Sequence, residues 1–269
     1  MRRGHTSTTP RLSWCVHGQG AQPVLLIMGF RMAGEAWRPQ IDGLKAHHPV
    51  ITYDARGIGE SAPMQGGLTI LDMAEDALRV LNDVGFDKVH LVGVSMGGMV
   101  AQELALLAPS RFHSVTLIAT HSGGPTVWLP ALSSLKDLIL FSFGPKARRL
   151  EHMEQLLYPE SFRRSCEREA LDGRMQACFS PVVPPETLKA QLGAVRGHRT
   201  HRRLKQLHLP TLVVRADQDR MIAAKHVDRL MKVLPKAKLV AFEDAGHGLI
   251  YQRAEALNRA MLEHFAEHA

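Results

Sequence analysis

Short apolar runs recur along this chain, and most lead through a turn into a stretch with helical spacing. The runs are PVLLIM (23–28), VITY (50–53), KVHLVG (88–93), SVTLIA (114–119), PTLVVRA (210–216) and AKLVAF (237–242). A wholly apolar strand suits a position covered on both faces. Strands alternating with helices argue for a mostly parallel central sheet flanked by helices, an α/β architecture. RLSWCVH (11–17) alternates apolar and polar residues, as a half-exposed edge strand would. Residues 36–47, 222–234 and 251–268 read as helices. Thr69 opens another, whose apolar face is Ile70, Met73, Ala74, Ala77, Leu78, Leu81 and Val84, with Gly85 at its end.

The rhythm breaks between residues 121 and 207. No segment there reads as a buried strand, and prolines at 125, 130, 145, 159, 181, 184 and 185 separate amphipathic stretches such as KARRLEHMEQLLY (146–158). A core domain of residues 1–120 and 208–269, interrupted by a helical lid over 121–207, is the expected organisation.

Length and charge narrow the function. A chain of 269 residues accommodates one large α/β domain with an insert. No apolar stretch is long enough for a membrane helix. The opening MRRGHTSTTPR has charge but no apolar segment, so it reads as a frayed tail and not a secretory signal. Cys15, Cys166 and Cys178 are odd in number and lack metal-ligand spacing, which fits a reducing cytoplasm. The net charge is +7, yet the clusters KARR (146–149) and HRTHRR (198–203) are not interleaved with aromatics. A solvated basic face is the expectation, a preference for anionic small substrates is a second option, and neither nucleic acid nor membrane is expected as partner. His198 with His201, and His47 with His48, lack a flanking third ligand and read as surface histidines, so no metal is expected.

VHLVGVSMGGMVAQELALLA (89–108) carries the chemistry. Ser95 lies between Gly93 and Gly97, where a buried strand meets a helix. At so sharp a turn the middle residue is strained and needs small neighbours two before and two after. The strain pushes the hydroxyl outward, and the following helix aims its N-terminal N–H groups at the same place. Serine needs a base and a group to orient that base. His247 follows the 237–242 strand with glycine on both sides. Asp217 and Asp219 compete as the acid after the 210–216 strand, and Asp219, further into its loop, has more room to reach back. Asp244 is too near His247 in sequence and is expected to tie down its loop. A tetrahedral intermediate requires two N–H donors. Met96, at the helix start, and Phe30, after Gly29, are the candidates for this oxyanion hole.

YDARGIGESA (53–62), GVSMGG (93–98), RADQD (215–219) and AGHG (245–248), in that order, resemble the α/β-hydrolase fold superfamily, specifically its lidded serine hydrolases. The similarity covers nearly the whole chain. It implies an α/β-hydrolase fold with a helical lid after the sixth strand. It also implies Ser95 as nucleophile, Asp219 as acid, His247 as base, Phe30 and Met96 as oxyanion donors, and no cofactor. Many members carry His-Gly where this chain has Met28-Gly29. The Met-Gly form resembles a subset that includes polyketide methyl esterases.

The expected reaction is cleavage of a small to medium, largely apolar carboxylic ester or lactone. Two alternatives stand beside it: a C–C bond hydrolase of a diketone-like acid, and a small-molecule receptor that keeps the triad without turnover. Trp128, Leu129, Leu132, Leu135, Leu138, Phe141 and Phe143 form an apolar stretch at the start of the lid. Trp128 and His121 are candidates to line the pocket. Arg31 could meet a substrate carboxylate or simply face solvent.

Overall fold

A computed structural model describes residues 1–124, 137, 148–179 and 181–269. The strands are β1 (Arg2–His5), β2 (Ser13–His17), β3 (Val24–Ile27), β4 (Val50–Tyr53), β5 (Val89–Val94), β6 (Phe112–Ile118), β7 (Thr211–Ala216) and β8 (Ala237–Phe242). They form one sheet in the order β1-β2-β4-β3-β5-β6-β7-β8. The β1–β2 and β2–β4 pairs are antiparallel, and every later pair is parallel. After β3 the chain moves to one side to make β4, then returns across to make β5. The carboxyl ends of β3 and β5 therefore adjoin at the point where the strand order reverses, the usual crevice for a ligand in an open α/β sheet.

The opening segment is a strand and not a frayed tail. Arg3 pairs opposite Cys15. Long-range partners supply what the local sequence lacks. Arg2 Nη2 donates to the Val84 carbonyl at 2.7 Å, and Asp83 accepts from Ser7 N–H at 2.9 Å and from Trp14 Nε1 at 2.8 Å. Gly4 lets the strand lie flat against the Trp14 indole, where a Cβ would come within 2.6 Å of a ring carbon.

Helices cover both faces: α1 (Arg38–Leu44), α2 (Ile70–Val84), α3 (Met96–Leu107), then α4 (Arg149–Leu157), α5 (Glu160–Ser165), α6 (Arg168–Phe179), α7 (Pro185–Gly197), α8 (Ala224–Met231), α9 (Leu249–Gln252) and α10 (Ala254–Ala266). Thr69 and Asp72 close a reciprocal capping box on α2, and Gly85 ends the helix at φ +80°. Leu81, Leu91 and Leu104 lie in the core beneath α2 and α3, while Trp37, Ile41 and Phe265 fill the opposite face. The edge strand β8 is largely exposed, although its residues read like those of its buried neighbour β7.

Helices α4–α7 lie between β6 and β7. The segment from α4 to α6 makes a smaller apolar cluster, in which Met153, Leu157 and Tyr158 pack with Leu171, Met175 and Phe179, while Ala194 of α7 joins the main core. The chain enters and leaves this insert at one place, where Gly123 pairs with Arg199 in an isolated antiparallel bridge. Among the described residues no helix is long and apolar enough to cross a membrane.

Candidate active site

Ser95 stands at the carboxyl end of β5 with φ +54° and ψ −120°, a conformation rarely adopted by residues with a side chain. Hydrogen bonds from both sides hold it there. Ser95 N–H donates to the Ile118 carbonyl at 2.9 Å, Thr120 Oγ1 donates to the Ser95 carbonyl at 2.7 Å, and Gly98 N–H donates to that same oxygen at 3.0 Å. The neighbouring glycines are required by space. A Cβ on Gly93 would lie 2.2 Å from the Gly97 carbonyl oxygen, and one on Gly97 would lie 2.1 Å from the Ile27 carbonyl oxygen.

His247 reaches this hydroxyl from the loop after β8. Its Nε2 is 3.0 Å from Ser95 Oγ, and its Nδ1 is 2.7 Å from Asp219 Oδ2. The other Asp219 oxygen accepts from Met221 N–H at 2.7 Å and Ile222 N–H at 2.8 Å. The carboxylate is thus buried yet engaged at both oxygens, which fixes its direction. Asp217 points elsewhere and pairs with Arg215 at 2.6 Å. Asp244 accepts from Arg253 Nε at 3.0 Å and so braces the loop that bears His247. The glycines flanking His247 admit the insert: a Cβ on Gly246 would meet the Leu157 carbonyl oxygen at 2.4 Å, and one on Gly248 would meet the Tyr158 ring at 2.3 Å.

The loop after β3 passes over the serine. A Cβ on Gly29 would lie 3.3 Å from Ser95 Cβ, so Phe30 follows the serine's immediate neighbour. Met96 is the first residue of α3, where N–H groups have no partner within the helix. The polar loop after β4 supports this crevice from the side. Asp54 Oδ1 accepts from Gly34 N–H at 2.8 Å, and Arg56 grips Asp76 of α2 through Nε at 2.5 Å and Nη2 at 2.8 Å. Burial raises the Asp54 carboxyl above its usual range.

Other expected residues sit differently. Arg31 does not face open solvent: its guanidinium donates to the Phe179 carbonyl at 3.2 Å and lies 5.6 Å above the Phe179 ring. The insert packs over it and partly covers it. His121 is buried, and its Nδ1 accepts from Gly123 N–H at 3.0 Å. His198 is also buried, contrary to the surface role its basic neighbours suggest. Its Nε2 lies 3.2 Å from Thr200 Oγ1, which bonds Gln102 Oε1 at 2.6 Å, while Gln102 Nε2 donates to the His121 carbonyl at 3.1 Å. Burial pulls His121 down to about 4 and His198 to about 3. Trp128 and the apolar residues from Leu129 to Leu135 and from Leu138 to Phe143 lie outside the described residues.

At the end of α10, His264, Glu267 and His268 bring ligand atoms within 4.8 Å of one another, the one such set among the described residues. Lys238 already neutralises Glu267, so a cation there would have to displace an ammonium. Thr120, which holds the Ser95 carbonyl, is a contributor that the sequence does not single out. Only its place at the end of an apolar run could have marked it.

The sequence profile of the alpha/beta hydrolase fold matches residues 22–254. Over 258 residues the chain is 31% identical to the "Putative carbamate hydrolase RutD" of Variovorax paradoxus, covering 95% of this chain and 96% of that protein. The thermophilic esterase from Thermogutta terrifontis superposes with a TM-score of 0.82 at 27% identity, covering 100% of each chain. The enol-lactonase from Burkholderia xenovorans LB400 gives a TM-score of 0.83 at 20% identity, with 98% of this chain and 100% of that one covered, a likeness of fold alone. With a strained serine at the strand–helix junction and a family profile spanning most of its length, the chain belongs to the alpha/beta hydrolase fold family.

Proposed function

We propose that the protein is a serine hydrolase that cleaves a small to medium, largely apolar carboxylic ester or lactone through an acyl-enzyme. The observation that carries this reading is the relay Ser95–His247–Asp219, with contacts of 3.0 and 2.7 Å. His247 takes the Ser95 proton as Oγ attacks the carbonyl carbon. Asp219 holds the ring and balances the imidazolium. Phe30 and Met96 N–H groups receive the oxyanion, and His247 returns the proton to the departing alcohol. Water then releases the acid by the same steps in reverse order. No step calls for a metal or organic cofactor.

Carbamate cleavage is a second reading, favoured by the similarity to the RutD protein. A carbamate carbonyl would meet the same nucleophile and oxyanion donors. The test is a panel of p-nitrophenyl esters, lactones, a p-nitrophenyl carbamate and a meta-cleavage diketone, run with wild type and Ser95→Ala. Repeated turnover of an ester or lactone, lost in Ser95→Ala, is the expected result. Preference for the carbamate would move the assignment to the second reading. Preference for the diketone would move it to C–C cleavage. Full activity in Ser95→Ala would end it.

A further inference from the structure

The loop that passes over Ser95 is held in a conformation its own sequence disfavours, and the residue that holds it comes from the insert. Gly29, Phe30, Arg31 and Met32 form a tight turn closed by Met32 N–H to the Gly29 carbonyl at 3.4 Å. Its third residue, Arg31, has φ +61°. A turn of the type II class needs positive φ at that place and normally uses glycine or asparagine. Arginine there is strained, and such strain persists only where the surroundings impose it.

Among the described residues, the contact on the Arg31 backbone itself is a side-chain amide. Arg31 N–H donates to Gln191 Oε1 at 2.9 Å, a contact between residues 160 apart in sequence. Gln191 is 1% exposed and lies with Thr187 and Ala194 on the buried face of α7. The Arg31 guanidinium bonds the Phe179 carbonyl of α6, so two helices of the insert grip this one turn. The insert also touches the base loop, where Gly248 N–H donates to the Leu157 carbonyl at 2.9 Å.

The geometry points to Gln191 as a positioning residue: it fixes the Phe30–Arg31 peptide and so sets the bearing of the Phe30 N–H in the oxyanion hole. This rests on the serine chemistry proposed above. Two peptide planes meet at the Phe30 Cα. One carries Phe30 N–H; the next carries the Arg31 N–H that Gln191 holds. Without that acceptor the second plane is released to rotate, Arg31 returns to negative φ, and the first plane loses its fixed direction. The oxyanion hole is then complete only while the insert is seated.

The test compares Gln191→Leu, Gln191→Asn and Gln191→Glu with wild type and Ser95→Ala on p-nitrophenyl butyrate, alongside phenylboronic acid binding. Leucine removes the acceptor, asparagine withdraws it by one methylene, and glutamate keeps an oxygen at the same reach. Loss of an oxyanion contact lowers kcat with little change in KM. A fall of about tenfold or more is expected for Gln191→Leu and Gln191→Asn, with KM nearly unchanged and boronate affinity falling in step with kcat/KM. Gln191→Glu should recover most of the rate. Gln191→Asn, which stays polar, decides the matter should Gln191→Leu fold poorly. If Ser95→Ala abolishes turnover while both acceptor-deleted variants keep wild-type kcat and boronate affinity, the Gln191 assignment alone falls. Equal losses in all three variants, tracking lowered melting temperatures, would assign Gln191 to packing and overturn it as well. Full turnover in Ser95→Ala would instead remove the serine chemistry beneath it.

Discussion

Gly93 and Gly97 touch across the bend that carries Ser95: a methyl group on the first would sit 2.2 Å from the carbonyl oxygen of the second. Neither atom has room to yield, because Gly97 is itself pressed against the β3 backbone at Ile27 and Met28. Gly93→Ala is expected to destabilise the protein by about 3 kcal/mol through overpacking. It should also lower kcat/KM by about 100-fold through displacement of Oγ. Thermal melting and ester turnover check both. Near-wild-type turnover in Gly93→Ala would mean that the bend is looser than these contacts require.

The two aspartates after β7 should separate cleanly. Asp219→Asn leaves the shape of the relay but withdraws the charge that orients His247, and a fall in kcat of about 10³–10⁴ is expected. Asp217→Asn breaks a partly exposed pair with Arg215 and should leave kcat nearly unchanged. Single-substrate kinetics on the two variants give the answer, and a larger loss in Asp217→Asn would reverse the assignment.

The buried histidines at the neck of the insert make stability depend on pH. His121 and His198 titrate in the folded protein at about 4 and about 3, below the ordinary value of 6.5, because burial disfavours their charged forms. Below pH 6.5 the unfolded chain therefore binds protons at these sites that the folded chain does not. Stability falls as the pH drops from 6.5 toward 4, by up to about 1.4 kcal/mol per pH unit for each site. His198→Gln should flatten that slope. Urea unfolding of wild type and variant at pH 7.5, 6 and 5 measures it, and parallel slopes would remove His198 from the explanation.

Arg56 holds the loop after β4 to α2 through a nearly buried carboxylate. Arg56→Met should destabilise the fold by about 2–3 kcal/mol, less than for a fully orphaned buried charge. The reason is that Arg79 still bonds Asp76 at 2.9 Å. Asp76→Asn in the same background should add little further loss. Denaturant unfolding of the single and double variants tests the coupling, and additive losses would argue against it.

Much of the arrangement could be read from local pattern. Apolar runs with intervening helical spacing marked β3 to β8 along the chain, because a strand buried on both faces must be apolar throughout. The Gly-x-Ser-x-Gly spacing gave the bend, because only glycines fit beside a strained residue there. The glycines around His247 marked a close approach, though not that Leu157 and Tyr158 are what approach. Other features carried no local signal. Arg2–His5 is polar and charged, and it becomes a strand through the Val84 carbonyl and the β2 edge. His198 sits in a basic run, yet its ring is drawn inward by Thr200 and the chain beyond β6.

By itself the sequence determined the layered sheet, the insert after β6 and the chain order of serine, aspartate and histidine. These follow from periodicity and from backbone sterics, which act over a few residues. Only the tertiary structure shows Asp219 Oδ2 at 2.7 Å from His247 Nδ1 with Asp217 turned to Arg215, and Gln191 capturing the Arg31 N–H. Those choices depend on distance and direction between groups far apart along the chain, and such geometry exists only after the sheet and the insert have packed.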